Sequence, residues 1–297
     1  TCGVCHTEID EIEGRTPPKF LPIVPGHQAI GEVVESGESV TRFCVGDRVG
    51  VGWIHSSSGA ADENISDEFC ATGRDVNGGY AEFLTVQEDY AYEVPAVWSD
   101  VEAAPLLCAG AIGFRALKLA EIHDGETLGL TGFGGSAHLV LQLARATYPS
   151  SEIHVFARSD SQRKYALECG ASWAGDTEET PPSRSRAIID TTPAWKPVIA
   201  ALACLCPGGR LIINAIRKDD ADKSELLNLS YHEHLWMERE IKTVANITQF
   251  DIREFLVEAS RIPIRPCVQT YPLTEANTAI QELHAGRFVG SKVLVIR

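Results

Sequence analysis

Two thiols and one imidazole are the residues of this chain best suited to chemistry. Cys5 stands in Gly3-Val4-Cys5-His6-Thr7, His27 in Val24-Pro25-Gly26-His27-Gln28, and Cys108 directly after Pro105-Leu106-Leu107. Two sulfurs and a ring nitrogen suit a borderline-soft ion, zinc above all. Three protein ligands leave a fourth tetrahedral position for water or substrate, the pattern of a catalytic rather than a closed structural site. A histidine alone is more often a satisfied core residue than a ligand, but the Pro-Gly turn before His27 and the two thiols reverse that reading. Farther along, Gly132-Phe133-Gly134-Gly135-Ser136-Ala137 follows an apolar strand-like run and opens a helical one. That context turns a weak glycine signal into a phosphate-cradling loop. Gly132 permits the tight turn, Gly134 lets the backbone approach a pyrophosphate, and Ala137 replaces the third glycine where helix meets strand. Gly135 and Ser136 complete the helix N-terminus, whose amides and positive dipole end face phosphates. An ion that polarises an oxygen, combined with a dinucleotide, implies hydride transfer to or from an alcohol or aldehyde.

The choice of dinucleotide is written after the next strand. NAD-binding folds place an acid at the end of the second strand, where it accepts from the ribose 2′-hydroxyl. Here Ile153-His154-Val155-Phe156 ends in Ala157-Arg158-Ser159, so Ala157 occupies the acid's place. Arg158 can meet a 2′-phosphate with a bidentate fork and Ser159 can add a hydroxyl. Arg163 and Lys164 add positive charge, whereas Asp160 is the one nearby acid that a shifted turn could bring to the ribose. The balance predicts NADP(H) over NAD(H).

These residues need elements to position them. Residues 1–107 read as a β domain: Gln28–Glu35, Asp47–Gly52 and Tyr80–Val86 are strand-like, and the small, polar stretch from Ser56 to Asn64 reads as a surface loop. Residues 108–247 alternate strand and helix, which predicts an α/β fold with a parallel, doubly wound Rossmann sheet. Its strands are Thr127–Thr131, Ile153–Phe156, Ala187–Asp190, Leu211–Asn214 and Lys242–Val244, and its helices include Ala111–Leu119, Leu139–Ala146, Arg163–Cys169 and Val198–Leu205. Residues 248–297 carry two further helical periods, over Asp251–Ile262 and from Ala276 to Leu283, with Gly286 placed to end the second. A closing strand, Lys292–Ile296, completes this tail, which is expected to return to the first domain.

Composition narrows the class. The 297 residues suffice for two domains, and a formal charge of −15 argues against nucleic acid or an anionic membrane as partner. Nine cysteines, an odd number at irregular spacing, do not form a disulfide framework. They fit a reducing, cytoplasmic setting in which Cys2 is a packed thiol rather than half of a redox pair. His232 and His234 read as surface residues, and His55 and His138 have no partner visible in the sequence.

Cys-His-Thr, Pro-Gly-His, Val-Gly-Asp-Arg-Val-Gly, Gly-Gly-Tyr-Ala-Glu, Leu-Leu-Cys-Ala-Gly and the glycine loop occur in this order along the whole chain. The series resembles the zinc-dependent medium-chain alcohol dehydrogenases, in particular their cinnamyl-alcohol-dehydrogenase-like branch. The resemblance implies a GroES-like β domain joined to the Rossmann domain, a small alcohol or aldehyde substrate, and a homodimer or homotetramer. It implies that Cys5, His27 and Cys108 hold the catalytic zinc. Thr7 would hydrogen-bond the substrate oxygen and start a proton relay, His6 would contact the pyrophosphate, and Glu8 would orient the zinc-binding histidine.

The chain also departs from that pattern. Gln28 follows the ligand histidine where the family has Glu, and Asp10 holds the place of a relay histidine. The lobe with four close cysteines and a structural zinc is replaced by residues 56–70, in which only Cys70 remains, so a single zinc is expected. The first strands of the β domain are expected to be missing before Cys5. Two rival readings are a zinc-free quinone or enoyl reductase of the same fold and a truncated, non-catalytic relative that only binds cofactor.

Overall fold

The structure, a computed structural model, describes residues 1–286 and 289–296. It divides into two compact units, one made of residues 1–111 with 246–297 and the other of residues 112–245.

The first unit begins with β1 (Cys2–Val4) and α1 (His6–Ile12), followed by β2 (Ala29–Glu32), β3 (Arg48–Val51), β4 (Ile54–Ser56), β5 (Cys70–Ala71), β6 (Ala91–Glu93) and α2 (Asp100–Ala103); α3 (Ala109–Ala120) starts at its end and runs mostly in the second unit. In the second unit come β7 (Leu128–Thr131), α4 (Ala137–Thr147), β8 (Ile153–Phe156), α5 (Asp160–Glu168), β9 (Trp173–Gly175), β10 (Ser185–Asp190), α6 (Lys196–Ala203), β11 (Leu205–Ile213) and β12 (Glu240–Thr243). The chain then returns to the first unit with α7 (Gln249–Ser260), β13 (Val268–Pro272), α8 (Ala276–His284) and β14 (Ser291–Val295). No single helix among the described residues is long and apolar enough to cross a membrane.

The first unit is built on a six-stranded sheet in the order β13-β14-β1-β2-β3-β6. β14 lies antiparallel to β1, with Val4 opposite Lys292, so a strand from the tail supports the residue that precedes Cys5. The second sheet, β9-β8-β7-β10-β11-β12, is parallel throughout. Counted along its own chain this is the order 3-2-1-4-5-6, the doubly wound arrangement whose direction of winding reverses beside its first strand. The reversal lies between β7 and β10, and it is there that such sheets take ligands. β7 and β8 are buried at every position, and β10 from Ala187 to Asp190, because helices cover both faces of a parallel sheet. α6 packs Val198, Ala201 and Leu202 against Ile188, Leu211 and Ile213 to close one side of that core.

Two local expectations fail. Tyr80–Val86 alternates like a strand but forms no ladder. Its entry is bonded to the Pro-Gly loop instead: the amides of Gly78, Gly79 and Tyr80 donate to the carbonyls of Val24 (2.7 Å), Gly26 (2.9 Å) and Pro25 (3.0 Å). A Cβ on Gly78 would stand 2.0 Å from the Gly26 carbonyl oxygen, so only glycine lets these two backbones touch. The strand beyond it is β6, whose three residues pair with β3. The loop expected over residues 56–64 is not wholly a surface feature either, since Glu63 and Asn64 are buried.

Candidate active site

Local capping chemistry places Cys5. It is the N-cap residue of α1, in extended backbone, and Glu8 at the third helical position completes a capping box. Glu8 Oε2 accepts from the Cys5 amide at 2.6 Å. The other oxygen, Oε1, lies 2.8 Å from His27 Nδ1, and both side chains are fully buried. One carboxylate therefore fixes the helix start that carries Cys5 and the ring orientation of His27. A proton held on Nδ1 leaves Nε2 with its lone pair free for a ligand role.

Cys108 arrives from elsewhere in the chain. A 3-10 turn over Ala104–Leu107, with Pro105 in its first turn, ends at Cys108, which precedes α3. The ligand atoms of Cys5, His27 and Cys108 all lie within 4.8 Å of one another, with His27 Nε2 3.3 Å from Cys108 Sγ. Ligands on one tetrahedral zinc, at about 2.0 Å for nitrogen and 2.3 Å for sulfur, stand about 3.6 Å apart. The spacing and the donor set thus fit a single such ion. No other group of three or more His, Cys, Asp or Glu side chains with this spacing occurs among the described residues.

The electrostatics of the cluster favour an anionic Cys5 sulfur. A hydrogen bond from Cys108, together with the His27 ring, holds the Cys5 thiol well below its ordinary range despite burial. Cys108 is pushed well up in turn, first because it gives its hydrogen to Cys5 and then by burial. Burial lowers His27, but the charge of Glu8 and bonds to Cys5 and Glu8 outweigh it and raise the imidazole well above its usual value. Burial raises Glu8 itself. Cys2 is outside this exchange: it is fully buried, which pushes its thiol up to about 12, and it packs as an inert core residue.

The remaining sequence candidates on α1 divide. Thr7 Oγ1 stands 3.5 Å from Cys5 Sγ, so its hydroxyl borders the cluster. Asp10 is buried and ion-paired with Arg15 Nε at 2.7 Å, which ties the carboxylate to the end of α1. His6 is half-buried at the first position of the helix. Gln28 is buried with its side chain laid over Gly3, where an added Cβ would come within 2.9 Å of it. Around the ring of His27, Trp53 packs edge-on at 4.8 Å between centroids, and its indole Nε1 donates to Asn246 Oδ1 at 3.0 Å.

In the second unit the glycine loop joins β7 to α4 at the reversal of the sheet. Gly132 has φ +75°, and the Gly132 amide donates to Phe156 O at 2.8 Å, which locks the turn to β8. A Cβ built on Gly134 meets nothing within 4 Å, so the loop is open where a pyrophosphate would approach. Ala137 is fully buried at the close contact of helix and strand, and Ser136 stands at the N-cap position of α4 without a side-chain cap bond. After β8, Ala157 is buried, Arg158 is exposed, and Ser159 caps α5 by accepting from the Gln162 amide at 3.2 Å. Arg163 turns back on its own loop: Nη1 donates to the carbonyls of Ala157 (2.6 Å) and Arg158 (3.0 Å), and Nη2 pairs with Asp160. Asp160, the acid that could have served an NAD ribose, is thereby engaged by an arginine.

Several residues at these sites were not legible beforehand. The buried Asp190 carboxylate accepts from Thr131 Oγ1 (2.5 Å) and Thr192 Oγ1 (2.8 Å) and pairs with Lys218, whose Nζ also reaches the carbonyls of Thr192 (2.7 Å) and Ala194 (3.1 Å). This network braces the ends of β7 and β10 beside the glycine loop; the only sequence signal was an acid ending an apolar run. His234 is buried, not a surface residue, and its Nδ1 accepts from the Ser230 amide at 2.8 Å. His138, without visible partner in the sequence, is fully buried against the glycine loop.

A GroES-like sheet with a Cys-His-Cys cluster around a buried histidine, and a doubly wound sheet with a glycine loop, define a medium-chain dehydrogenase. Residues 1–96 match the family model described as the alcohol dehydrogenase GroES-like domain. The "Probable alcohol dehydrogenase AdhA" of Mycobacterium tuberculosis (strain CDC 1551 / Oshkosh) is 40% identical over 306 residues, covering 99% of this chain and 86% of that protein. An alcohol dehydrogenase of Geobacillus stearothermophilus is 31% identical over 317 residues, covering 100% of this chain and 89% of its own. Among solved structures, a cinnamyl alcohol dehydrogenase of Sorghum bicolor superimposes with a TM-score of 0.86 at 25% identity, over 99% of this chain and 87% of that one. The chain belongs to the zinc-type medium-chain alcohol dehydrogenases, in their cinnamyl-alcohol-dehydrogenase-like branch, and is an oxidoreductase.

Proposed function

We propose that the chain is a zinc-dependent alcohol dehydrogenase or aldehyde reductase that binds one zinc and prefers NADP(H). The observation that carries the reading is the cluster of Cys5, His27 and Cys108, held in place by the single carboxylate of Glu8. When bound, zinc supplies a Lewis acid for the substrate oxygen and the nicotinamide supplies or accepts hydride. The chain's own residues do the rest. Cys5 and Cys108 supply negative charge that offsets the ion's. Glu8 keeps the His27 proton on Nδ1. Thr7 Oγ1, at the border of the cluster, holds the substrate's hydroxyl proton and passes it on. Asp10, paired with Arg15, can serve as the relay's end only through its second oxygen. The substrate is a small alcohol or aldehyde, and the family's primary alcohols are the first to try.

The preference for NADP(H) rests on the buried Ala157 in the acid's place, the exposed Arg158 guanidinium and the engagement of Asp160 by Arg163. A carboxylate facing the ribose would repel a 2′-phosphate; an exposed guanidinium attracts it.

The test combines elemental analysis with initial rates on primary alcohols and aldehydes using each dinucleotide. The expected result is about one tightly held zinc per chain, because a closed structural site requires four ligands and no second such group occurs among the described residues, with higher kcat/KM for NADP(H). Two tightly held zincs would refute the single site, and equal or better efficiency with NAD(H) would refute the cofactor preference. Turnover in metal-free protein would support the zinc-free reductase instead.

A further inference from the structure

The first turn of α4 contains a group that the glycine motif does not explain. His138 is fully buried. Its Nδ1 lies 3.0 Å from the carbonyl oxygen of Gly134, the middle glycine of the loop. The main-chain amide of His138 reaches the same oxygen at 3.3 Å. A carbonyl can only accept, so the hydrogen of this bond sits on Nδ1 and the tautomer is set by the loop. The ring is flanked by Tyr165 of α5, with centroids 6.3 Å apart, and Tyr165 in turn packs edge-on to Phe133 at 5.7 Å. A histidine thus occupies a core position that an apolar side chain could fill by volume.

The reason for a donor there follows from peptide geometry. A trans peptide points its C=O and the next N–H in opposite directions. Two donors holding the Gly134 carbonyl toward the helix therefore turn the Gly135 N–H the other way, out of the helix N-terminus, and the loop has room there, since a Cβ on Gly134 would meet nothing within 4 Å. An inward-held carbonyl also keeps a partial negative charge away from an approaching phosphate. Without the ring, that oxygen keeps the longer main-chain bond, and the peptide is freer to tilt. Burial pushes the imidazole down to about 4, so it acts as a neutral donor throughout the physiological range.

We infer that His138 is a positioning residue of the dinucleotide site, a neutral Nδ1–H donor that pins the Gly134 carbonyl and so presents the Gly135 amide to the pyrophosphate. This rests on the reading of the glycine loop as the NADP(H) site. It assigns the role to the side-chain bond, not to the helix terminus alone.

The experiment is a fluorescence titration with NADPH of the zinc-loaded, substrate-free protein, comparing the native chain with His138→Leu and His138→Asn. Leucine keeps apolar bulk and removes the donor. Asparagine carries an amide nitrogen near the place of Nδ1. The expected result is a five- to tenfold rise in Kd for His138→Leu, roughly the worth of one hydrogen bond, with the kinetic effect falling on KM for the dinucleotide more than on kcat. His138→Asn should recover most of the affinity. Native affinity in the leucine variant, or an asparagine variant as weak as leucine, would overturn the inference. A second measurement needs no variant: nitrogen NMR of histidine-labelled native protein should show a neutral Nδ1–H tautomer near pH 7, and an Nε2–H or charged ring would overturn it. If the native protein binds neither NADPH nor NADH, the dinucleotide reading itself fails and the inference falls with it.

Discussion

Two buried polar clusters in the first unit make opposite uses of a glutamate. At the candidate active site, Glu8 orients a histidine and caps a helix, and the groups it positions are three soft lone-pair donors converging within 4.8 Å. In the stretch that replaces the cysteine-rich lobe, Glu63 is itself the centre. Its Oε1 accepts from the Gln249 amide at 2.7 Å, and its Oε2 accepts from the Tyr90 hydroxyl at 3.0 Å and from Gln249 Nε2 at 3.5 Å. Ser57 closes the ring, its amide donating to Tyr90 Oη at 2.9 Å and its hydroxyl to the Glu63 carbonyl at 2.8 Å. The Glu63 hub brings N–H and O–H donors to a carboxylate and is complete as protein alone. The Cys5 cluster brings together three side chains that could hold a metal ion, and under the proposed function a cation would complete it. A buried polar cluster asks for an ion when its acceptors outnumber its hydrogens.

That contrast can be broken most severely at Cys108. Cys108→Ser exchanges a soft thiolate for a hydroxyl that zinc binds poorly. Turnover should fall below detection and elemental analysis should show zinc lost, while dinucleotide binding by the second unit is retained. Unchanged turnover would remove Cys108 from the mechanism.

Thr7→Val tests the border of the cluster while leaving its ligands in place. The isosteric change removes the hydroxyl that stands 3.5 Å from Cys5 Sγ. Zinc content should be unchanged and the rate of the proton-dependent step should drop by about 10²–10⁴-fold, as for lost general acid–base work. Near-normal rates would show that the relay begins elsewhere.

Glu8→Gln is a milder perturbation of the same site. The amide preserves shape but removes the charge facing His27 Nδ1, at 2.8 Å. Loss of such a partner typically costs 10–100-fold in metal affinity, which competition with a chelator would measure. Native zinc affinity in this variant would reduce Glu8 to a helix cap.

The sequence made some of this plain and hid the rest for physical reasons. The parallel sheet announces itself because strands buried on both faces must be apolar runs, as in Leu128–Thr131 and Ile153–Phe156, separated by helical periods. α1 gave no such signal: at seven residues it is held by the capping box of Cys5 and Glu8 and by burial, not by a long apolar stripe. Tyr80–Val86 misled because alternation shows which faces are buried but not what pairs with the backbone, and here the partner is the loop at Val24–Gly26. Cys5, His27 and Cys108 were picked out by residue type, and the resemblance already pointed Glu8 at the histidine; that the same carboxylate also caps α1 through the Cys5 amide became visible only in the fold. The Glu63 hub was invisible for the same reason, since residues 57, 63, 90 and 249 share no local pattern. Polar residues in a Ser/Ala/Asp-rich stretch read as solvated until their partners are known.

The smallest expected effect therefore tests the other side of the comparison. Glu63→Gln keeps the volume of the side chain but turns one of its two acceptors into a donor. The carboxylate now satisfies Gln249 N at one oxygen and Tyr90 Oη at the other. An amide can keep its oxygen toward only one of them. If the oxygen stays on the Gln249 main-chain amide, the new amide nitrogen faces Tyr90, whose hydroxyl turns its hydrogen to the Ser57 carbonyl at 3.2 Å, and Gln249 Nε2, 3.5 Å from the same position, is left facing a donor. One buried group is left worse paired, at a cost of about 1–3 kcal/mol. Thermal unfolding should move down by several degrees, while zinc per chain and the relative efficiencies with the two dinucleotides stay at native values. A stability loss without metal loss marks a hub that is complete without an ion. Zinc release from the Glu63→Gln protein would instead tie the two clusters into one system and end the comparison.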